Sequence, residues 1–81
     1  MNNFEKMAIA NKIQHDAITE AKEKGEKVFY DYLFYMSEYN LDSESIEDIL
    51  TMIECKYDFY GFQSCGICDS RSGLVSVSFW V

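Results

Sequence analysis

The residues in this chain best placed to do chemistry are two cysteines at the spacing Cys65-Gly66-Ile67-Cys68. That spacing suits a zinc knuckle or a redox pair, and Cys55 with the lone histidine, His15, would complete a ligand set. A structural zinc site ordinarily joins two such knuckles, and only one is present. A thioredoxin-type pair opens a helix after a strand, whereas this one precedes the turn-forming run Asp69-Ser70-Arg71-Ser72-Gly73. Three packed thiols are therefore expected, and a small zinc domain on Cys65 and Cys68 stands as an alternative. His15 has no serine, cysteine or carboxylate tied to it by a motif, and no glycine-rich phosphate loop occurs. Glu47 and Asp48 are neighbouring carboxylates on the outer side of a predicted helix, with no desolvation to tune them for acid-base work. The leading reading has no catalytic residue, no metal and no cofactor.

The carboxylates are more informative as a group. The net charge is −7, and residues 1 to 27 balance five lysines against five acids. The excess lies in residues 28 to 58, where Lys56 alone faces Asp31, Glu38, Asp42, Glu44, Glu47, Asp48, Glu54 and Asp58. Glu44, Glu47, Asp48, Glu54 and Asp58 share the outer side of one predicted helix. At about 1.5 Å rise per residue they form a ridge of roughly 20 Å, with acids recurring on the scale of successive phosphates. All the tyrosines lie in or beside the same segment, and Tyr35 and Tyr39 are the candidates to anchor a partner, because tyrosine brings a large ring and a polar handle at low entropic cost. The candidate partner-binding set is Asp31, Tyr35, Glu38, Tyr39, Asp42, Glu44, Glu47, Asp48, Glu54 and Asp58. A field of this sign repels nucleic acid and anionic membrane and attracts basic protein. The competing reading is a solvated charged face with its aromatic rings spent on the core.

The elements that must position these groups follow from periodicity. Ile9, Ala10, Ile13, Ala17 and Ala21 share one face of a helix near 4 to 24, which Gly25 can end in the left-handed conformation. Val28, Phe29, Tyr32, Leu33, Met36 and Tyr39 repeat at three and four, predicting a second helix over 27 to 39. Ile46, Ile49, Leu50, Ile53 and Tyr57 predict a third over 44 to 57, after a turn rich in capping side chains. Val75, Val77, Phe79 and Val81 alternate with Ser76 and Ser78, the strand period, so 62 to 68 should pair with 74 to 81 as a hairpin. The expected fold class is α+β: three helices followed by a C-terminal antiparallel β-hairpin, a winged-helix-like element order, in one domain spanning 1 to 81.

Composition bounds the function. The chain of 81 residues is 48% hydrophobic and 16% aromatic, which suits a packed globule with little room for a catalytic cleft. The N-terminus lacks the basic and apolar regions of a secretion signal, no apolar run is long enough to span a bilayer, and an odd cysteine count suits free thiols, so a cytoplasmic location is expected. These features point to a small acidic protein-interaction module that docks a tyrosine-bearing surface onto a basic, nucleic-acid-binding protein and inhibits it as a nucleic-acid mimic. In type it resembles the small acidic inhibitors encoded by phages, including anti-CRISPR and anti-restriction proteins, although no signature residue carries the likeness. Its richness in Phe, Tyr, Met, Ile, Asn and Lys favours a genome rich in A and T. A degenerate winged-helix dimerisation subunit is the remaining alternative.

Overall fold

The computed structural model describes residues Met1 to Val81. Helix α1 covers Asn3–Glu23, started by the Asn2 side chain, which accepts the Glu5 N–H at 2.8 Å. It ends in a Schellman motif: Gly25 takes φ +69°, its N–H bonds the Lys22 carbonyl at 3.1 Å, and the Glu26 N–H bonds Ala21 at 3.0 Å. Strand β1 follows at Phe29–Tyr35, then a 3-10 turn at Met36–Tyr39, helix α2 at Ser45–Glu54, and strands β2 at Phe62–Asp69 and β3 at Leu74–Trp80. The three strands form one antiparallel sheet in the order β1-β3-β2.

The α+β class holds, but three helices before a hairpin do not, and with them goes the winged-helix-like order. The segment expected as a helix over 27 to 39 is β1, and helical turns survive only in its last four residues. The run Phe29 to Tyr35 satisfies the helical period through Phe29, Tyr32 and Leu33, and the strand period through Tyr30, Tyr32 and Phe34. Pairing decided between them. An isolated two-stranded hairpin is marginal in water, and β3 has a second edge to fill. Tyr30, Tyr32 and Phe34 sit opposite Phe79, Val77 and Val75 across that edge, and all six side chains are buried.

Both helices lie on this inner face of the sheet. Ala10, Ile13, Ala17 and Ala21 of α1 and Ile46, Ile49 and Ile53 of α2 close one core cluster over it. At the head of α2 the Asp42 carboxylate accepts from the Ser45 hydroxyl at 2.7 Å, the Ser45 N–H at 2.8 Å and the Glu44 N–H at 3.1 Å, which hold it below the usual carboxylate range. Helix α2 ends three residues before the expected 57. Tyr57 therefore leaves the apolar stripe and is 99% exposed, while Phe59 takes the inward place and is buried.

A partly buried hydroxyl network ties β1 and the turn after it to α1. The Tyr39 hydroxyl lies 2.7 Å from that of Tyr32 and donates to Asp16 Oδ2 at 2.7 Å. Burial, then its hydrogen bonds to Tyr32 and Asp16, push the Tyr39 hydroxyl far above its ordinary pKa. Burial pulls Asp16 the other way from its partners, but the bonds to Tyr39 and Lys12 outweigh it and hold this carboxyl below its usual value. A depressed carboxylate contributes stability that is complete above its unfolded pKa and is lost as pH falls through the folded one. Tyr39→Phe should therefore cost about 1.5 to 3 kcal/mol at neutral pH, the net worth of a hydrogen bond to a charged group. In urea titrations the gap from wild type should narrow as pH falls below about 4, where Asp16 in the unfolded chain takes up its proton. A gap independent of pH would show that the hydroxyl supports packing and not the Asp16 charge.

Candidate protein-docking surface

Alternation along β1 gives the sheet a second, uncovered face. Phe29, Asp31, Leu33 and Tyr35 point away from the helices, opposite Trp80, Ser78, Ser76 and Leu74 of β3, with Ser64 and Gly66 of β2 beyond. No element packs over them. Leu33 is 53% exposed, Trp80 52%, Tyr35 48% and Phe29 38%, which is a large apolar display for so small a chain. Phe29 and Trp80 meet edge to face with ring centroids 4.9 Å apart, and Trp80 Nε1 donates to Gln63 Oε1 at 3.4 Å. Between these rings and Tyr35 the floor is small and polar, and the Ser78 hydroxyl donates to the Asp31 carboxylate. At the end of the ladder the Val28 carbonyl accepts the Val81 N–H, and the Gly61 carbonyl accepts the Trp80 N–H. Val28, Val81 and Tyr60 are all exposed.

The residues singled out from the sequence do not form one surface. Asp31 and Tyr35 lie on the open sheet face, and Glu38 sits at its end, where its carboxylate accepts the Tyr35 N–H at 2.6 Å. Tyr39 points inward to Asp16, and Asp42 caps α2. Glu47, Asp48 and Glu54 are exposed on α2, with Glu44 exposed just before it, on the helical side of the sheet. Asp48 is paired with Lys6 at 2.5 Å. Asp58 lies beyond the end of the helix and pairs with Lys56 at 3.3 Å, while its carbonyl accepts from Gln14 at 3.0 Å. The ridge thus keeps Glu44, Glu47 and Glu54 as acids without an ion pair. Sequence reasoning missed Phe29, Leu33 and Trp80. The parity of β3 contained the signal for Trp80, since a strand that buries Val75, Val77 and Phe79 must turn Trp80 outward.

The side chains weighed for metal or catalysis are scattered. No three of the His, Cys, Asp and Glu side chains come together as a cation site. All three cysteines are free thiols. Cys65 is half-buried under α2, its thiol donating to the Leu50 carbonyl at 3.5 Å, and burial followed by the Glu54 charge pushes it up to about 11. Cys55 and Cys68 are exposed, the latter at a bulge of β2. His15 is exposed on α1, 3.6 Å from Asp16 and with no nucleophile beside it. A groove of about 530 Å³ between Met7 and the end of α2 is lined by Met52, Cys55 and Tyr57, and its one carboxylate, Asp58, is paired with Lys56. No buried side-chain nitrogen or oxygen lacks a hydrogen-bond partner, so none is left aimed at a ligand. No helix is long and apolar enough to cross a membrane.

No family model, curated protein or solved structure matches the chain.

Proposed function

We propose that this chain is a cytoplasmic protein-interaction module, a binding domain and not an enzyme, that docks the open face of its sheet onto a basic protein. One observation carries the reading. Strand β1 spends Tyr30, Tyr32 and Phe34 on the core and turns Phe29, Leu33 and Tyr35, flanking Asp31, to a face that nothing in the chain covers. Aromatic anchors around a polar centre are the composition of binding hot spots. The net charge of −7 favours a cationic partner and raises the rate of encounter with it. Three free thiols suit a reducing compartment.

Inhibition by nucleic-acid mimicry is the narrower reading, and the absence of ion pairs on Glu44, Glu47 and Glu54 favours it. One comparison tests both, using a partner captured by the wild-type chain. For sheet-face docking, a Leu33→Asp, Trp80→Ala variant should lose at least about 2 kcal/mol of affinity, the loss that marks a hot spot. A Glu47→Lys, Asp48→Lys, Glu54→Lys variant should change mainly the association rate and its salt dependence. If the triple variant abolishes binding and the sheet variant leaves it intact, with both folded by circular dichroism, the mimic reading replaces the sheet-face one.

A further inference from the structure

The backbone of β1 adds a feature that its side chains do not show. The Val81 N–H bonds the Val28 carbonyl and the Met36 N–H bonds the Gly73 carbonyl, both within the single β1-β3 register. Hydrogen-bonded pairs alternate along an antiparallel ladder, so positions 28, 30, 32, 34 and 36 bond to β3. The N–H and C=O of Phe29, Asp31 and Leu33 therefore point out of the sheet, where β1 is the edge strand. At Tyr35 the outward N–H is already taken by Glu38. No hydrogen bond from a turn, loop or side chain reaches the outward groups of Phe29, Asp31 or Leu33. The other edge is different: β2 carries register shifts at Phe62/Ser64 and Ile67/Asp69, which break up a regular template.

We infer that the edge of β1 is a strand-addition site for an extended segment of the partner, paired antiparallel to β1 and carrying a lysine or arginine flanked two residues either side by apolar residues. The inference deepens the docking function proposed above and rests on it for taking β1 as the contact. The pattern follows from position. A residue paired with Asp31 stands directly across from its carboxylate on the open face, where a cation is favoured and an anion disfavoured. Its neighbours two away stand opposite Phe29 and Leu33. Main-chain pairing of this kind supplies affinity and the alternate side chains supply specificity. A second copy fits poorly. The antiparallel register that satisfies every free group sets Asp31 against Asp31, and the others leave part of the edge unpaired or need the Tyr35 N–H that Glu38 holds.

The probe is the blocked peptide acetyl-Thr-Val-Thr-Lys-Thr-Val-Thr-amide, titrated into the nitrogen-15-labelled full chain. Saturable shifts are expected, with the Phe29, Asp31 and Leu33 amides moving most and gaining protection from exchange. N-methylation at the two valines and the lysine should abolish binding, whereas methylation at the inner threonines should leave it within about twofold, because their N–H groups face away. Replacing the lysine by glutamate should weaken binding at least tenfold, and Asp31→Lys should recover that peptide. Several outcomes overturn the inference: no saturable shift at millimolar peptide, equal sensitivity to both methylation patterns, or self-association of the chain that protects the same amides. If the peptide fails while partner capture still depends on Leu33 and Trp80, strand addition falls and docking through side chains stands.

Discussion

Gly61→Ala is expected to remove most of the stability of this fold, while Gly25→Ala, an equally left-handed position, costs only about 1 to 2 kcal/mol. Both glycines have positive φ, +79° and +69°, so both alanines meet the backbone penalty of about 1 to 2 kcal/mol. The surroundings differ. Around Gly25 a Cβ would meet nothing within 4 Å, but at Gly61 it would overlap the Trp80 carbonyl oxygen. That backbone cannot retreat cheaply, because the Trp80 N–H bonds the Gly61 carbonyl at 2.6 Å and Trp80 is paired with Phe29. A total of about 3 kcal/mol lowers the melting temperature by roughly 12 to 24 °C in a domain of this size. Melting temperatures of the two variants followed by circular dichroism check this. Equal shifts would mean that the close approach of Gly61 to Trp80 contributes nothing.

Proline substitution along β1 should give the second large contrast. Tyr32→Pro removes an N–H bonded to β3 and a buried ring, and should cost more than about 3 kcal/mol. Leu33→Pro removes an N–H that points off the sheet edge, where proline is tolerated, and should stay within about 1 kcal/mol. Denaturant midpoints of the two variants are the measurement. A helix over 27 to 39 would be broken by either, so comparable losses would refute the strand register and the free edge derived from it.

The contrast between these neighbours also marks where local sequence stops being informative. Most of the local structure was legible. Ile9, Ala10, Ile13, Ala17 and Ala21 announce α1, Gly25 its end, Ile46, Ile49 and Ile53 the core stripe of α2, and the alternation from Val75 to Phe79 the final strand. Each segment satisfies one period and not the other. The segment from Phe29 to Tyr35 satisfies both, because nearly every position is aromatic or aliphatic and any face drawn through it is apolar. Its conformation depends on β3, about forty residues further along the chain.

The candidate surface divides in the same way. Sequence alone determined the net charge, its confinement to residues 28 to 58, and the supply of aromatic side chains. It also determined that whatever β3 buried through Val75, Val77 and Phe79, Trp80 would face the other way. Only the tertiary structure decided which tyrosines face water: Tyr30, Tyr32 and Tyr39 are turned inward, and Tyr35, Tyr57 and Tyr60 outward. It decided that Lys6 and Lys56 neutralise Asp48 and Asp58, shortening the acidic ridge. It also set Asp31 and the α2 acids on opposite sides of one sheet. Exposure and ion pairing depend on residues distant in the chain, and a local pattern carries no record of them until pairing and packing bring those residues together.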